Sequence, residues 1–344
     1  MKKLIAIFGI LAFTAGMAFS QSNTSTTNQT GNDHEAYTTQ TGLNHQASIT
    51  QDGGNSEGSI DQSGEENNAN ILQLGSNNKE ASITQIGWKN NGAINQTNTG
   101  NYPDLTKAQQ YQDGNENSAI INQTGRAVKA FQTQVGDNNI AQIDQLSYVD
   151  AYQDQGELSE QGQYGNDNWA AIDQGQNWAA NRSQATQLQI GDENKAYIYQ
   201  RGLTNNVATQ NQIGNYNEAF VVQNGRDNYF QLEQIGDGNI VGEEGNAFTQ
   251  NGDGNKFAGV TNGAGLAFDE DGFAIQTDGA TLDLASYQDG NNNIIGLHQG
   301  EGDVGLIQQL GDNNEALLWQ GGGANVASID QTGNGNTAHV MQTP

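Results

Sequence analysis

Histidine and acidic residues are the side chains of this 344-residue chain that could act as bases or as metal ligands. The four His residues, His34, His45, His298 and His339, are spread along the sequence without neighbouring catalytic partners. His34 and His45 occupy repeat positions that hold Asn elsewhere. Because the chain has no Cys and its His residues are not clustered, a structural zinc site is not expected. We therefore predict no metal centre, no cofactor and no catalytic His.

Gly-rich segments with Asp and Asn, such as GDNN and GDGN, provide oxygen ligands that could hold calcium. Calcium-binding nonapeptide solenoids repeat every nine residues with an Asp in each turn, whereas many corners here hold only Asn, Ser or Thr. The same glycines lack the Lys and the strand-to-helix context of a phosphate-binding loop. Tight-turn chemistry is the favoured interpretation, and specific calcium binding stays an alternative.

Aromatic and acidic side chains could in principle serve a glycan. Trp169, Trp319, Tyr197, Tyr199 and Phe220 could stack on sugars, but their scatter is typical of strand residues on an outer face. A polysaccharide-degrading β-helix would need carboxylates that converge on a cleft, and the acids here are dispersed. The sequence thus predicts no enzyme and keeps glycan binding as an alternative.

The composition excludes ordinary globular domains. With 45 Gly and 34% hydrophobic residues, the chain has too little apolar surface for two compact cores. A net charge of −27 and low hydrophobicity are also typical of disorder, but the chain has only 2 Pro and its Gly, Asn and Gln recur at regular spacing. Regular spacing favours an ordered repeat protein.

The first residues, MKKLIAIFGILAFTAGMAFS, predict a secretory signal peptide over residues 1–20, followed by a flexible segment over 21–28. Two Lys residues leave with the leader, so the mature chain carries a net charge near −29. That sign disfavours nucleic acid as a partner. No later stretch approaches the roughly 18 apolar residues of a membrane span.

Gln recurs at intervals of mostly eleven residues from Gln29 to Gln342. The unit is Gln-x-Gly-x-x-Asn-x-Ala-x-apolar-x-Gln, as in Gly114, Asn117, Ala119, Ile121 and Gln123. From Asn onward the named residues alternate, which is the period of a β-strand with one regular face. Each unit therefore predicts one strand with Asn, Ala, the apolar residue and Gln inside, followed by a Gly corner.

Two such units make one turn, so the sequence predicts an all-β, two-strands-per-turn β-solenoid of about 14 turns over residues 29–344. Stacked amides can satisfy one another, whereas stacked carboxylates would repel. The predicted ladder and assembly residues are Gln29, Gln40, Gln51, Gln62, Gln123, Gln145, Gln200, Gln223, Gln320, Gln331, Gln342, Asn117, Asn139, Asn194, Asn217, Asn314, Asn325 and Asn336, and the predicted turn residues are Gly114, Gly136, Gly191, Gly214, Gly311 and Gly333.

The spacing fails in three stretches, residues 99–110, 146–163 and 238–286. The longest of them lacks Asn and Gln at the expected intervals. We expect irregular or looped-out strands there.

The repeat resembles the curlin repeat of curli subunits, a family of bacterial functional amyloids. Its Gln-x-Gly-x-x-Asn-x-Ala-x3-Gln half is present at residues 112–123, 134–145, 189–200, 212–223, 309–320 and 331–342. The resemblance covers about residues 29–344, although Asn replaces the family's Ser in many slots and the repeat number is larger than usual. It implies export through an outer-membrane channel and nucleated assembly, with a nucleator subunit as partner, into adhesive extracellular fibres of the biofilm matrix.

Exposed strand edges at both ends of a solenoid would recruit further copies and give an open filament. We therefore expect a secreted fibre subunit, the major one rather than the nucleator because its basic residues are dispersed. Surface or matrix contacts would follow from such a fibre. The alternative is a monomeric secreted solenoid that binds calcium, ice or glycans, although the outward position before each Gln lacks the Thr ladder of an ice binder.

Overall fold

A computed structural model describes residues 22–343, apart from 76–77, 99–104, 126, 148–156, 176–181, 263–265, 270–272, 278, 284 and 322. The predicted signal peptide lies outside the described residues. All regular secondary structure in the described residues is β, and no helix there has the length and apolarity of a membrane span. The strands are β1 (Thr24–Leu43), β2 (Gln46–Glu65), β3 (Asn68–Gly75), β4 (Lys79–Trp88), β5 (Asn91–Asn98), β6 (Thr106–Asn115), β7 (Ser118–Gly125), β8 (Lys129–Val135), β9 (Ile140–Ser147), β10 (Leu158–Tyr164), β11 (Trp169–Gln174), β12 (Gln184–Ile190), β13 (Lys195–Thr204), β14 (Val207–Ile213), β15 (Glu218–Arg226), β16 (Tyr229–Ile235), β17 (Ile240–Val241), β18 (Phe248–Asn251), β19 (Lys256–Asn262), β20 (Leu266–Asp269), β21 (Ala274–Thr277), β22 (Thr281–Leu282), β23 (Tyr287–Asp289), β24 (Ile294–Gln299), β25 (Val304–Leu310), β26 (Glu315–Gln320), β27 (Val326–Thr332) and β28 (Thr337–Gln342).

The strands stack in parallel, each on the strand one full turn earlier, so the predicted β-solenoid with two strands per turn is confirmed. We call the two stacks the first sheet, which contains Gln29, and the second sheet, which contains Gln40. Equivalent repeat positions pair directly: β7 and β9 place Ala119 beside Ala141 and Gln123 beside Gln145. This in-register pairing is what allows identical side chains to form ladders.

The core lies between the two sheets and consists of the inward residues of each repeat. Ile71, Ile94, Ile121 and Ile143 are each 0% exposed. The residues two positions earlier, which are Ala except for Gly92, are similarly buried. The small Ala side chains bring the sheets together while Ile supplies apolar burial. Strand alternation thus produces the core directly from the repeat.

The corners require glycine for a steric reason. Gly114, Gly136, Gly191, Gly214, Gly311 and Gly333 have φ values of +132°, +115°, +119°, +121°, +113° and +109°, as their predicted turn positions demand. A Cβ at Gly114 would lie 2.0 Å from the carbonyl oxygen of Gly136 one turn later. Stacking at about 4.8 Å therefore excludes a side chain at each of these positions except Gly333, which has no further turn of the described chain stacked on it.

The solenoid has about 12 turns rather than the roughly 14 predicted from the repeat length. Successive Gln residues of one sheet are separated by 21 to 42 residues in sequence, so part of the chain leaves the stack between turns. The first strand also begins earlier than predicted: Thr24–Asn28, assigned to a flexible segment, pair with Gln46–Thr50. Backbone hydrogen bonds to β2 extend the first sheet over Thr24–Asn28, although these residues lack the full repeat motif.

Residues 238–286 contain the shortest strands and the only antiparallel strand pair seen in the described residues. Strand β17 is followed by residues 242–247 before β18 resumes the stack, and β19 leaves the stack to pair with β20 before β21 resumes it. Of the other two stretches predicted as irregular, residues 99–104 and 148–156 lie outside the described residues. Regular strands β6 and β10 begin within those stretches, at Thr106 and Leu158.

Candidate assembly edges and the amide ladders

Two ladders of Gln side chains run the length of the solenoid, one in each sheet. In each ladder twelve hydrogen bonds join thirteen Gln residues, with Nε2 to Oε1 distances between 2.7 and 3.2 Å. All the predicted Gln residues lie in these ladders. The bonds have one polarity, because each Gln donates to the Gln of the next turn toward the C-terminus.

The second amide hydrogen of most ladder Gln residues joins the two sheets. Gln123 Nε2 donates to Gln145 Oε1 at 2.9 Å and to the Lys107 carbonyl oxygen of the opposite sheet at 3.0 Å. Gln134 makes the equivalent pair of bonds, to Gln163 and to the Ser118 carbonyl oxygen. The ladder amides are therefore satisfied although they are buried, which removes the cost of burying a polar group.

Asn side chains form further ladders at the corners. Asn117 Oδ1 accepts a hydrogen bond from the Asn139 backbone N–H at 2.9 Å, and its Nδ2 donates to the Gly136 carbonyl oxygen at 2.7 Å. The predicted Asn139, Asn194, Asn217 and Asn314 are buried in equivalent positions. Each such Asn ties its own corner to the corner of the next turn.

His34 and His45 lie at Asn positions, as predicted. His45 is 0% exposed, and its Nδ1 accepts from the Asn67 backbone N–H at 3.3 Å, which replaces the Asn oxygen. His298 lies on the outer face, stacked on Trp319 with a ring distance of 4.0 Å, and burial lowers its pKa. His339 Nε2 lies 2.8 Å from Glu315 Oε1. No group of three His, Cys, Asp or Glu residues able to hold a metal occurs in the described part of the chain.

Sequence reasoning missed a third Gln ladder. In the second sheet, Gln110, Gln132, Gln161, Gln187 and Gln210 occupy the inward position predicted to be apolar, and they bond in series at 2.9 to 3.1 Å. All five are buried. Each of these Gln residues lies two positions before a main ladder Gln, which is a pattern that the sequence shows. The predicted repeat unit required an apolar residue at that position, so the prediction did not include a Gln ladder there.

The Asn position of the second sheet is also less regular than predicted. From β2 to β12 it holds Ser56, Lys79, Thr106, Val128, Glu157 and Ser183 before Asn206 restores the pattern. Lys79 is 2% exposed; its Nζ donates to the Gly75 carbonyl oxygen at 2.7 Å, and burial lowers its pKa. A buried ammonium costs free energy unless it is neutralised or paired with an anion, so this position weakens the ladder locally.

The outer face of β11, β13 and β15 carries a cluster of aromatic and charged side chains. A groove of about 460 Å³ is lined by Trp169, Lys195 and Tyr216 together with Asp167, Glu193 and Glu218. Trp169 stacks on Phe220 at 5.9 Å, so two of the scattered aromatic residues meet in space. Most charges in the groove have partners already, with Lys195 Nζ bonded to Glu218 at 2.8 Å and Tyr216 to Glu193 at 3.1 Å.

A pair of stacked carboxylates lies beside that cluster. Asp144 and Asp173 are register partners on β9 and β11. Burial and the Asp144 charge raise the pKa of Asp173 to about 6, against a smaller lowering by Arg201. Such pairs oppose stacking when both are ionised.

Both ends of the solenoid present strand edges without a paired strand among the described residues. β1 pairs with β2 on one side, β27 pairs with β25, and β28 pairs with β26. Gln29 is exposed, and Gln342 is partly exposed. These edges carry the predicted assembly residues Gln29, Gln40, Gln331, Gln342, Asn325 and Asn336.

The comparison with known families agrees with the geometry. The sequence profile of the curlin associated repeat matches residues 204–236 and 311–343. A search of curated proteins finds no significant match. Both matched segments lie in the regular stack, where Gln212, Gln223 and Gln234, and later Gln320, Gln331 and Gln342, belong to the ladders. The chain therefore contains curlin associated repeats in these two segments.

Proposed function

We propose that the chain is a secreted, non-enzymatic structural subunit that assembles head-to-tail into extracellular curli-like amyloid fibres for adhesion and biofilm matrix. The observation that carries this proposal is the pair of open strand edges with complementary hydrogen-bonding groups. Unpaired strand edges are templates for further pairing, and a contact between unlike ends does not close. By its repeat type, the subunit would use an outer-membrane export channel and a nucleator subunit, and it would be the major fibre component.

The ladder polarity supports joining unlike ends. Gln331 and Gln342 each donate one amide hydrogen to a backbone carbonyl, of Glu315 and Val326 respectively, which leaves the stacking hydrogen directed beyond the last turn. At the opposite end, Gln29 and Gln40 donate into the stack, so their Oε1 atoms face outward as acceptors. One end offers donors and the other offers acceptors.

Glycine at the C-terminal corner provides a test that separates folding from assembly. A Cβ at Gly333 would meet no backbone atom within the chain, its nearest contact being Asn336 Nδ2 at 3.7 Å, whereas a Cβ at Gly311 meets Gly333 oxygen at 2.2 Å. Gly333→Ala should therefore slow fibre elongation at least about tenfold, because the methyl group would clash with the next copy at the approximately 4.8 Å stacking distance. Elongation is measured by thioflavin fluorescence from preformed wild-type seeds, with electron microscopy of the product.

Gly335→Ala is the matched control. Gly335 has φ +69°, a Cβ there would have no atom within 4 Å, and the equivalent positions one and two turns earlier hold Asn313 and Asn292 at φ +58° and +54°. This variant should elongate at the wild-type rate, and denaturation of both monomers checks that strain at φ +109° has not unfolded Gly333→Ala. Equal elongation of all three proteins would contradict assembly through this edge.

Charge gives an independent expectation. About 29 net negative charges on the mature chain repel incoming copies, so assembly should quicken at pH 4 relative to pH 8 and with added salt. Equal lag times of fibre assembly at both pH values would count against a role of charge repulsion in assembly. If the protein stays a monomeric rod under all conditions, the alternative of a monomeric binding solenoid gains, and the groove at Trp169 is then the first place to test glycan binding.

A further inference from the structure

We infer that the outer face of the second sheet on β10, β12, β14 and β16 binds a second copy of this chain side by side, so that filaments pair laterally. The inference rests on the proposed function, because it concerns filaments that have already formed. It specifies a contact between filaments, distinct from the contact that extends one filament. We call this surface the neutral face, and its outward residues are Leu158, Glu160, Gly162, Tyr164, Gln184, Thr186, Leu188, Ile190, Val207, Thr209, Asn211, Ile213, Tyr229, Gln231, Glu233 and Ile235.

An unbroken apolar stripe runs along one edge of the neutral face. Its members are register partners on successive turns, in the order Tyr164, Ile190, Ile213 and Ile235. Each is between 38% and 42% exposed, so the stripe is open along about 14 Å of the rod at about 4.8 Å per strand. Single exposed apolar residues are ordinary, whereas contiguous ones mark a contact surface.

Charge argues that the partner is another copy of this chain. The protein has a formal net charge of −27, yet Glu160 and Glu233 are the only charged residues of the neutral face. Earlier in the same sheet, the charged outward residues of β2, β4 and β6 are Glu57, Asp61, Glu80, Lys107 and Asp113. Two acidic chains repel wherever their acids meet, so they approach most closely where acids are scarce.

Further along the same sheet, the chain covers its own outer face with β structure. The β19–β20 hairpin leaves the stack and contacts β24 and β26. Leu317 on β26 points away from the core, yet it is 0% exposed. An apolar residue on this outer face is therefore buried where a β segment packs on it, and the sheet of a second copy would cover the neutral face in the same way.

The neutral face is complementary to itself. Its opposite edge carries Leu158, Val207 and Tyr229, and Thr186 and Thr209 lie between the two edges. A two-fold axis parallel to two neighbouring filaments would place the stripe of one copy against this second apolar edge of the other. Such a contact keeps both filaments pointing in the same direction, with the facing sheets about 10 Å apart.

The size of the neutral face predicts that pairing begins only after filaments form. Four strands of 7 residues each cover roughly 23 Å by 19 Å, which is about 440 Å² per copy and about 900 Å² for a pair. A stable complex of two proteins buries about 1,200 to 2,000 Å². Two monomers therefore stay apart, whereas two filaments add the contacts of every subunit along their length.

Ile213→Glu tests the inference by placing a charge in the middle of the stripe. The fraction of laterally paired filaments is measured from filament widths in electron micrographs. The variant should lower this fraction at least about tenfold, because the carboxylate would lose its water in the contact. Ile213→Lys should have the same effect although it lowers the net negative charge, which separates burial of a charge from general repulsion.

Ile86→Glu is the matched control. Ile86 occupies the same repeat position on β4 and has the same 38% exposure as Ile213, but its register partners are Ser63 and Asp113. Filaments of this variant should pair like those of the wild type. Seeded elongation and urea denaturation of the monomers should be similar for all four proteins, which would show that folding and filament growth are intact.

Two results would overturn the inference while the proposed function stands: wild-type filaments that stay single, or equal pairing by the wild type and Ile213→Glu. Single wild-type filaments that float with phosphatidylcholine vesicles, with flotation lost in Ile213→Glu, would assign the neutral face to a lipid surface instead. Absence of fibres from the wild type would overturn the proposed function and with it this inference.

Discussion

The regular strands β6–β9 and the interrupted strands β17–β23 form the same stack, but different numbers of residues separate successive ladder Gln residues in the two regions. In the regular region, Gln112 donates to Gln134, which lies 22 residues further along the chain. In the interrupted region, Gln234 donates to Gln276 across 42 residues, yet both bonds are 2.9 Å long. The ends of each strand are held by amide ladders, and the middle of a strand tolerates an excursion. What is constant in this molecule is the stack rather than the interval in sequence.

A charge in the ladder should be the most damaging change in either region. Gln134→Glu and Gln276→Glu each remove two donated hydrogen bonds and place a carboxylate among acceptors, so each should lower the free energy of unfolding by about 3 to 5 kcal/mol. Urea denaturation of the monomer followed by circular dichroism measures the loss. Thr133→Glu, on the outer face of the same strand as Gln134, should cost less than about 1 kcal/mol. A small effect at Gln276 alone would show that the interrupted region does not share the ladder mechanism.

Restoring the ladder residue at Lys79 should strengthen the regular stack. Lys79→Asn removes a buried ammonium and returns the amide used at most corners, so we expect stabilisation by about 1 to 2 kcal/mol near neutral pH. Because burial lowers the pKa of Lys79, the folded wild type binds fewer protons than the unfolded chain, and its stability should rise as pH increases toward 10.5. The gain from the substitution should shrink over the same range. Lys107→Asn, which removes the partly exposed partner of Glu80, should change stability by less than about 0.5 kcal/mol.

Asp173 should make stability depend on pH in the acidic range. Its folded pKa of about 6 lies above its ordinary value of 3.8, so the folded state binds more protons between these values. Stability should therefore fall as pH rises from about 4 to above 6. Asp173→Asn should raise the melting temperature at pH 7 and have little effect at pH 3.5. The control is Asp330→Asn, which changes an exposed acid at the same outward position of the first sheet. If Asp330→Asn altered the pH dependence of stability as much as Asp173→Asn does, the assignment of this pH dependence to Asp173 would be contradicted.

Deleting the excursion should have the smallest effect. Removal of residues 259–273 joins Ala258 to Ala274, so that Asn255, Phe257, Ala274 and Gln276 recreate the regular alternation. Because loop closure depends weakly on loop length, stability should change by no more than about 1 kcal/mol. Unfolding of the monomer by urea measures the change. Loss of folding would mean that the β19–β20 pair is needed for the stack.

The sequence was sufficient for the fold and for most ladder residues, because strand alternation and in-register stacking translate a repeated motif into repeated contacts. Gln250 and Gln276 were missed, since inserted residues moved them away from the eleven-residue spacing while β18 and β21 kept them in the stack. The Gln110 ladder was missed because an amide can replace an apolar side chain wherever its neighbours above and below are also amides. The contact between Trp169 and Phe220 was also missed. It depends on which turns of the solenoid are neighbours, and the spacing of residues within one repeat does not show which turns these are.

Fibre diffraction from the aligned, assembled mature protein tests the central claim most directly. If solenoid units join end to end in the register of their internal turns, the pattern will show a sharp meridional reflection at about 4.7 to 4.8 Å that continues across subunits, with an equatorial spacing near 10 Å from the two facing sheets. Fibres whose strand-spacing reflection lies on the equator, with strands parallel to the fibre axis, would contradict end-to-end stacking.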